Sequence, residues 1–516
     1  MTSSGTGADT GSDIEVLVVG AGPAGLLLAG ELALAGVRTR VVERRLESHR
    51  ESRALNLHPR SMELMDMRGL ADRFLAVGRT VPGWQFAASL KQPLDFTALD
   101  TRHPYALLIA QSRTEALLAE RARELGVEIH RGYEAVALRQ DPDGVEVSLR
   151  GPGGEVTVRA RYVVGCDGGR SFVRQAAGIG FPGTGESMTA VVGDFAVADH
   201  ADNDRARQHG VLVARLEAGL TRFVVMDPDR IRVPSTEPVT LEEFRTSLKR
   251  VCGTDCGIDE PRWLSRFGNT TRLAESYRRG RVLLAGDAAH VHFPVGAQGL
   301  NTGLQDAMNL GWKLAAQVHG WAPPALLDTY HTERHAVGRA VTDGTRAQTL
   351  LVELPLTERY GLPAGILCEL LDTLLGMKDV NRHLAARISA LDTAYPPPDA
   401  SPADPLTGRR MPDIGLATTA TETVRVYELL HDGHFVLLNL DGDDESCGWE
   451  PEEPGRPGRI RTLTARPAEV HPDLGGVSEV LVRPDGHIAW ATRTTDTGTR
   501  RAERTQALNT WPGAPA

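Results

Sequence analysis

Three glycines near the start of the chain have the spacing of a dinucleotide-binding turn. Gly20, Gly22 and Gly25 form a G-x-G-x-x-G pattern that follows a short apolar run, and Ala24 begins an apolar helical pattern. In such a turn the first glycine permits the tight bend, the second lets the backbone approach a pyrophosphate, and the third lets helix and strand pack closely. The helix N-terminus offers unpaired N–H groups to the phosphates. The pattern predicts a dinucleotide site at Gly20, Gly22, Ala24 and Gly25, with an ordinary α/β turn as the alternative.

An acidic residue follows at the distance that a ribose contact requires. Glu43 ends the next β-like run, residues 37–43, and lies 18 residues after Gly25. Its carboxylate is placed to accept hydrogen bonds from the hydroxyls of an adenosine ribose. We therefore predict that Glu43 and its neighbour Arg44 bind the adenosine end of the dinucleotide.

Motifs late in the chain indicate which dinucleotide is bound. Asp287 follows a β-like run at 281–285, where an aspartate can hold a polyol hydroxyl. A Gly-rich loop then leads into a helix, whose first N–H groups can stabilise a developing anion such as the N1/C2 carbonyl edge of a reduced flavin. The predicted flavin contacts in this loop are Pro294, Gly299, Leu300 and Asn301. An early pyrophosphate site and a late ribityl and isoalloxazine site are what FAD requires.

The elements that must position these motifs are predicted from periodicity. Apolar runs and helical patterns predict strand, helix and strand around the first motif, and further strands between 127 and 164. Residues 185–270 alternate short β-like runs with loops, which predicts a separate sheet layer. Helices are predicted at 59–68, 114–125 and 301–318, with helical patterns continuing to about 391.

Composition divides the chain into domains. Residues 1–13 are rich in Ser, Thr and Gly and are interpreted as a flexible tail, and the Pro-rich stretch 395–405 predicts a linker. The predicted fold class is α/β. Its domains are a Rossmann-type FAD-binding domain at 14–184 and 271–394, an inserted mixed β-sheet substrate-binding domain at 185–270, and a C-terminal domain at 406–516.

Charge and composition argue against several classes of function. The net charge of −10 and an aromatic content of 5% argue against a nucleic-acid partner. No apolar run is long enough to span a bilayer and no signal peptide is recognisable, so we expect no membrane partner and a cytoplasmic location. Five cysteines are too few for a disulfide framework. Cys252 and Cys256 have metal-like spacing but no second Cys/His pair, so no metal site is predicted.

Three motifs in order resemble those of the class A FAD-dependent aromatic hydroxylases, the group that includes para-hydroxybenzoate hydroxylase. They are the turn at 20–25, YVVGCDGGRSFVR at 162–174 and RVLLAGDAAH at 281–290. In that family the middle motif lies near the FAD pyrophosphate and the route of the nicotinamide cofactor. The resemblance therefore implies this role for Asp167 and Arg174.

The resemblance is closer to the bacterial aromatic polyketide hydroxylases that tailor angucycline, anthracycline and tetracycline scaffolds. The supporting strings are ESRA at 51–54, DTRHPY at 100–105, QSRTE at 111–115, GRRMPD at 408–413 and LVRPDG at 481–486. From it, Arg53 and Gln111 are expected to contact FAD, and Ala135 or Val136 to lie near the adenine. A surface ion pair for Arg53 and a helix cap for Gln111 are the alternatives. The C-terminal domain resembles a thioredoxin-like appendage, but its only cysteine, Cys447, excludes dithiol chemistry.

This resemblance implies a monooxygenase of polycyclic aromatic polyketides, in antibiotic biosynthesis. NADPH, with NADH as the alternative, reduces the FAD, O2 forms a C4a-hydroperoxyflavin, and one oxygen atom is transferred to the substrate. The cofactor carries the chemistry, so no catalytic side chain is identified, and His290 is interpreted as structural. Baeyer–Villiger insertion, inactivation of an antibiotic and a non-catalytic FAD- and polyketide-binding protein are the alternatives. The chain is expected to be a monomer or a homodimer.

Apolar and aromatic side chains that could flank a polycyclic ring occur before and within the predicted sheet layer and in the flavin loop. The predicted substrate-binding residues are Trp84, Phe86, Phe96, Phe223, Met226 and Phe293. Core packing is the alternative for each of them. The flavin loop reads PVGAQ at 294–298, where relatives usually have PAGGQ, so Val295 and Ala297 are expected to add bulk beside the flavin ring.

Overall fold

The computed structural model describes most of the chain. The described ranges are 14–48, 54–197, 200–216, 219–397, 404–418, 422–442, 448–449 and 458–514. The predicted tail at 1–13, the predicted FAD contact Arg53 and the cysteine Cys447 lie outside the described residues.

A parallel sheet dominates the first part of the chain. Its elements are β1 (Ile14–Val19), α1 (Pro23–Leu34), β2 (Thr39–Glu43), β3 (Asn56–Leu57), α2 (Pro59–Asp66), α3 (Ala71–Leu75), β4 (Arg79–Val81), β5 (Gly83–Trp84), β6 (Leu94–Asp95), β7 (Ala106–Leu108), α4 (Gln111–Glu124), β8 (Glu128–Arg131), β9 (Glu134–Gln140), β10 (Val145–Gly151), β11 (Gly154–Gly165) and α5 (Phe172–Ala176). Strands β8, β2, β1 and β11 lie side by side in parallel. The first half of β11 forms an antiparallel meander with β9 and β10, and its second half enters the parallel sheet.

A second sheet follows in the region predicted as a separate layer. The elements of this region are β12 (Gly183–Thr184), β13 (Thr189–Ala196), α6 (His200–Gln208), β14 (Leu212–Arg215), β15 (Leu220–Val225), α7 (Leu241–Cys252), β16 (Trp263–Gly268) and β17 (Thr271–Leu273), of which β13, β14, β15 and β16 form the sheet. The strand order is β14-β15-β13-β16, and every described pairing is antiparallel, which corrects the predicted mixed sheet. Strands β14 and β15 form a hairpin, and β13 runs against both of its neighbours. The sequence patterns do not predict the helices α6 and α7.

The chain then returns to the parallel sheet and continues as helices. The elements are β18 (Arg278–Arg279), β19 (Val282–Leu284), β20 (His290–Val291), α8 (Gln298–His319), α9 (Thr329–Glu353), α10 (Gly361–Leu375) and α11 (Lys378–Ser389). Val19 of β1 is aligned with Gly165 of β11, which is aligned with Leu284 of β19. Because the three strands are parallel and end at the same level, the turns that follow them, one in each sequence motif, start at one edge of the sheet.

The last part of the chain contains a sheet of its own. Its elements are β21 (Gly415–Ala417), β22 (Thr423–Arg425), β23 (Phe435–Asn439), β24 (Gly448–Trp449), β25 (Ile460–Thr464), β26 (Arg466–Pro467), β27 (Glu479–Val482), β28 (Ile488–Thr492) and α12 (Thr497–Thr510). The five-stranded order is β24-β25-β23-β27-β28, with β23 and β25 parallel and the other pairs antiparallel. None of the helices in the described ranges is long and apolar enough to cross a membrane.

Candidate active site

The turn between β1 and α1 separates two kinds of glycine. Gly20 has a φ of +108°, and a Cβ there would collide with the carbonyl oxygen of Cys166. A Cβ on Gly25 would collide with the carbonyl oxygen of Gly20. By contrast, nothing lies within 4 Å of the position that a Cβ on Gly22 would take. Packing therefore requires glycine at positions 20 and 25. Gly22 instead borders open space at the N-terminus of α1, which begins with Pro23.

The carboxylate of Glu43 lies beside this turn. Its Oε2 accepts a hydrogen bond from the N–H of Ala21 at 3.0 Å, and its Oε1 accepts one from the N–H of Arg45 at 3.0 Å. These two bonds fix the carboxylate at the end of β2, and each oxygen keeps a further lone pair. The arrangement is suited to accept the hydroxyls of a ribose. Arg44 is exposed on the same loop.

The side chain of Gln111 is held at both ends at the start of α4. Its Oε1 accepts from the N–H of Ala54 at 3.2 Å, and its Nε2 donates to Oε1 of Glu115 at 2.8 Å. The N-cap of α4 is Ala110, which makes no side-chain capping hydrogen bond. Gln111 therefore links α4 to the segment before β3. Ala135 is buried in β9.

Asp167 closes the turn that follows β11. Its Oδ1 accepts from the hydroxyl of Ser171 at 2.5 Å, and its Oδ2 accepts from the N–H of Val173 at 3.1 Å. Burial raises the pKa of this carboxyl, and the hydrogen bond from Ser171 opposes that shift. The side chain of Asp167 thus shapes the turn on which the predicted FAD pyrophosphate contact depends.

Arg174 joins the middle motif to the late motif. Its guanidinium donates to the carbonyl oxygen of Ala288 at 2.9 Å and to that of Gly169 at 3.0 Å. It also lies 3.7 Å above the centre of the Phe181 ring. Since Ala288 follows Asp287, Arg174 fixes the two turns relative to each other.

Asp287 is exposed on a turn whose backbone is fixed by the side chain of Asp306. The turn spans Gly286–Ala288, directly after β19. Asp306 of α8 accepts from the N–H of Gly286 at 3.1 Å and from Nε2 of His290 at 2.7 Å, both at its Oδ2. Within the described part of the chain, the carboxylate of Asp287 has no hydrogen-bond partner. The turn is therefore rigid while its aspartate is available to a ligand.

Asp306 is fixed in turn by a buried arginine. Nε of Arg334 donates to its Oδ1 at 2.7 Å, and Nη1 of Arg334 donates to the hydroxyl of Tyr395 at 3.0 Å. Burial acts to raise the pKa of Asp306, but the charges of Arg334 and His290 outweigh it and keep the pKa below its ordinary value. His290 thus has a structural contact, as interpreted from the sequence. Asp306 and Arg334 were missed, because no short motif joins residues this far apart.

The loop before α8 has an unusual backbone. Gly296 has a φ of +69°, and Ala297, the N-cap residue, has a φ of +54°. Ala297 offers no side-chain cap, so the first N–H groups of α8, which include those of Gly299 and Leu300, have no side-chain acceptor at the N-cap. Pro294 is exposed beside them. An uncapped helix start of this kind favours an anionic ligand.

Asn301 attaches this helix start to α2. Its Oδ1 accepts from the N–H of His58 at 2.7 Å and from the hydroxyl of Ser61 at 2.7 Å. Nε2 of His58 lies 2.8 Å from the carbonyl oxygen of Gly296. Burial lowers the pKa of His58 to about 4 despite this bond, so the ring is neutral and donates from Nε2. Asn301 therefore positions the helix start, and its amide is occupied by protein. His58 and Ser61 were missed in the sequence.

Five of the six predicted substrate-binding residues share one apolar cluster beside the flavin loop. They are Trp84, Phe86, Phe96, Met226 and Phe293. Phe223 is instead buried with Phe195 and Phe244, under α7. Because side chains alternate along β15, Val224 points to the apolar cluster and Phe223 to the opposite face. Phe223 is a core residue of the sheet layer, and its predicted substrate contact is corrected.

The residues of this edge fit FAD in three respects. Space is open at Gly22 after β1, the helix start at Gly299 is uncapped, and the exposed carboxylate of Asp287 follows β19. Among the residues that the structure describes, no three His, Cys, Asp or Glu side chains are grouped so that they could hold a metal ion.

Comparison with known proteins agrees with this geometry. A family described as an FAD binding domain matches residues 13–345, and a family described as the C-terminal part of aromatic-ring hydroxylases matches residues 404–515. The chain is 45% identical over 522 residues to the 12-dehydrotetracycline 5-monooxygenase/anhydrotetracycline 6-monooxygenase of Streptomyces rimosus, covering 97% of this chain and 99% of that protein. It is 44% identical over 507 residues to a rifampicin monooxygenase of Streptomyces venezuelae, with coverages of 97% and 99%. The structure of the OxyS anhydrotetracycline hydroxylase from Streptomyces rimosus superimposes with a TM-score of 0.84 at 43% identity, covering 98% of this chain and all of that one.

Proposed function

Because the chain belongs to the family of FAD-binding aromatic-ring hydroxylases and is an enzyme of that class, we propose that it uses NADPH and O2 to hydroxylate a polycyclic aromatic polyketide in antibiotic biosynthesis. The observation that carries the proposal is the alignment of Val19, Gly165 and Leu284 at the ends of three parallel strands. This alignment brings the turns that follow the three strands to one edge, where a single extended ligand can reach all of them.

Each turn has a role in this proposal. Gly22 and the start of α1 hold the pyrophosphate, Glu43 holds the adenosine ribose, and Asp287 holds the ribityl chain. The N–H groups of Gly299 and Leu300 would stabilise negative charge on the flavin. When bound, FAD supplies the redox and oxygen-activating chemistry, and the protein supplies binding, orientation and exclusion of water.

The apolar cluster supports an aromatic substrate. The ring of His58 makes edge contacts with Trp84 at 6.2 Å and with Phe96 at 5.6 Å between ring centres. The lowered pKa of His58 keeps its ring neutral at neutral pH, so the apolar cluster carries no charge at this side chain. Phe293 and Val295 extend the cluster to the flavin loop, so an apolar ring system bound there lies next to the predicted flavin position. The similarity to a tetracycline-pathway monooxygenase favours a polyketide.

A second candidate function is the oxygenation of an antibiotic as a means of inactivating it. The specific observation in its favour is the 44% identity to a rifampicin monooxygenase over nearly the whole chain. Both candidates use the same site and differ only in the substrate.

We also propose the predicted division into FAD-binding, substrate-binding and C-terminal domains, with the C-terminal domain thioredoxin-like. Its support is the strand order, in which the parallel pair β23 and β25 is extended by the antiparallel hairpin β27–β28. This domain contributes packing rather than redox chemistry, because it has a single cysteine.

The decisive experiment is an absorbance spectrum of the purified protein, followed by NADPH consumption with and without a panel of polycyclic phenols. A flavin spectrum and phenol-dependent NADPH oxidation are expected. The position of the oxygen atom that comes from labelled O2, in a hydroxyl group or in an ester, distinguishes hydroxylation from insertion into a carbon–carbon bond. Asp287→Ala should weaken FAD binding roughly tenfold. Asp379→Ala, which removes an exposed carboxylate of α11, is the matched control. A preparation that stays colourless after incubation with FAD contradicts the proposal.

A further inference from the structure

The outer face of α10 carries a concentration of exposed apolar side chains. Of the eleven large apolar side chains that are exposed within the described ranges, seven lie between residues 350 and 377. They are Leu350, Tyr360, Leu362, Ile366, Leu367, Leu370 and Met377. Leu362, Ile366 and Leu370 are four residues apart, so they form one line along α10, and they are 80%, 60% and 55% exposed. We call this line the outer stripe.

The inner face of α10 is apolar as well. Cys368 and Leu375 are buried, and Leu371 packs with them in the apolar cluster that also contains Trp84. The first eight residues of the helix, 361–368, include no charged side chain. A helix that is apolar on opposite faces is typical of one that is covered on both sides. The outer stripe therefore has the character of an interface.

Neither the remaining residues of this chain nor a membrane is a suitable cover. The residues outside the described ranges contain only two large apolar side chains, Met1 and Cys447, and are otherwise small, polar or proline. Helices that lie on a membrane surface carry Lys and Arg beside their apolar face. The charged residues of α10 are instead Glu369 and Asp372, and the chain has a net charge of −10. These observations favour a protein partner with an apolar surface.

A second copy of this chain has such a surface and the required area. The seven exposed side chains leave on the order of 700 Å² uncovered, close to the roughly 800 Å² that each partner buries in a standard protein interface. In a two-fold homodimer a surface patch meets its own copy. An antiparallel pair of α10 helices with the axis at Ile366 brings Leu362 of each copy against Leu370 of the other. The outer stripe is thus complementary to itself.

We propose that the chain forms a two-fold homodimer through α10, with Ile366 at the axis and Leu362 and Leu370 on either side of it. The inference concerns an interface and does not rest on the proposed function. Since the inner face of α10 belongs to the apolar cluster, the second copy covers a helix that also packs beside the predicted substrate position.

The test is analytical ultracentrifugation of the full chain, loaded with FAD, at several concentrations. The wild type should have the mass of two chains at micromolar concentration. Ile366→Glu and Ile366→Lys should each weaken dimerisation roughly a hundredfold or more, because each places two like charges against each other at the axis. An equal mixture of the two variants should form the dimer again, because the introduced carboxylate then faces the introduced ammonium group. Val470→Glu is the matched control, because Val470 is 97% exposed but lies in the C-terminal part of the chain, away from α10 in sequence.

The other possible covers are outcomes that overturn the inference. A wild type that stays monomeric, or a dimer that both Ile366 variants leave intact, contradicts it. So does a monomeric wild type that sediments with phosphatidylcholine vesicles, or an Ile366 variant that loses only its affinity for the aromatic substrate. Variants that do not pair when mixed contradict the axis at Ile366. Unchanged circular dichroism spectra exclude misfolding, and flavin binding and NADPH oxidation by the wild type test the proposed function separately.

Discussion

The glycine turn after β1 and the polar seam beneath the C-terminal sheet are both rigid, but by opposite means. We define the polar seam as Lys313, Glu333, Arg483 and Asp485. In the glycine turn, backbone atoms approach so closely that Cβ atoms are excluded. In the polar seam, two cations and two anions are buried together, with Nζ of Lys313 2.6 Å and Nη1 of Arg483 2.8 Å from the carboxylate of Glu333.

The charges of the polar seam depend on one another. Burial lowers the pKa of Lys313 to about 8, although Glu333 opposes the shift. Burial acts to raise the pKa of Glu333, but Arg483 and Lys313 together lower it to about 2. The glycine turn has no such dependence, since its tolerance is set by the space around each Cβ position and, at Gly20, by a positive φ. The comparison teaches that the glycine turn is limited by backbone atoms packed against it, including those of Cys166, whereas the polar seam is held by charges, of which Glu333 and Arg483 lie 150 residues apart.

The largest expected effect comes from breaking the glycine turn at Gly25. Gly25→Ala places a methyl group against the carbonyl oxygen of Gly20 and 3.1 Å from Cβ of Cys166, so α1 must move away from the sheet. We expect a loss of about 5 kcal/mol or more in the free energy of unfolding, measured by urea denaturation of the purified protein.

Gly22→Val is the control within the same turn. Because no atom lies within 4 Å of the Gly22 Cβ position, this variant should fold with nearly wild-type stability and fail to retain FAD. Equal stability losses for the two variants would show that the turn does not separate packing from cofactor binding.

The second prediction breaks the polar seam. Glu333→Gln removes the carboxylate that faces Lys313 and Arg483 and leaves their charges with Asp485 alone. We expect a loss of about 4 kcal/mol in the free energy of unfolding by urea denaturation, because a buried charge loses its partner. Glu124→Gln, which breaks the exposed pair with Arg73, should leave stability nearly unchanged. Similar values for the two variants would contradict the importance of burial.

The comparison also explains which features could be predicted from the sequence. The predicted helix at 301–318 is α8, at Gln298–His319, and the contrasting packing at Gly22 and Gly25 fits the roles read from the motif. Both are local, because periodicity and turn chemistry are properties of neighbouring residues.

Two of the missed features, the role of Asp306 and the burial of Phe223, depend on a distant partner or on the face of an element. Asp306 holds the Asp287 turn from 20 residues away, through the N–H of Gly286, and no short motif marks it. Phe223 was assigned to the substrate from its aromatic character, but the strand alternation that turns it into the core depends on which face α7 covers. The helix α7 itself was missed, although Thr240 caps it by accepting from the N–H of Glu243.

The third prediction compares two buried histidines, one next to the flavin loop and one next to the polar seam. Burial lowers the pKa of His58, next to the flavin loop, to about 4, and that of His487, next to Asp485, to about 4. Each pKa lies below the ordinary histidine value of 6.5. Between pH 4 and pH 6.5 the unfolded chain therefore binds more protons than the folded chain. The free energy of unfolding should therefore fall as the pH is lowered from 6.5 towards 4, by about 3 kcal/mol for each histidine.

Urea denaturation across this pH range checks the third prediction. His58→Asn and His487→Asn should each remove part of the slope, and the two reductions should be similar despite the different surroundings. If neither substitution changes the slope, these histidines do not remain neutral in the folded protein, and other groups account for the pH dependence.

The smallest expected effect sharpens the comparison at the flavin loop, where a residue other than glycine adopts a left-handed backbone. Ala297, with a φ of +54°, precedes α8, and Ala390, with a φ of +61°, follows α11. Glycine relieves the strain of this conformation but loses more entropy on folding, so Ala297→Gly and Ala390→Gly should each stabilise the protein by about 0.5–1 kcal/mol. Thermal unfolding measures this gain. Only Ala297→Gly should also change the affinity for FAD, because only Ala297 precedes the uncapped helix start, and equal FAD affinities of the two variants would count against flavin binding there.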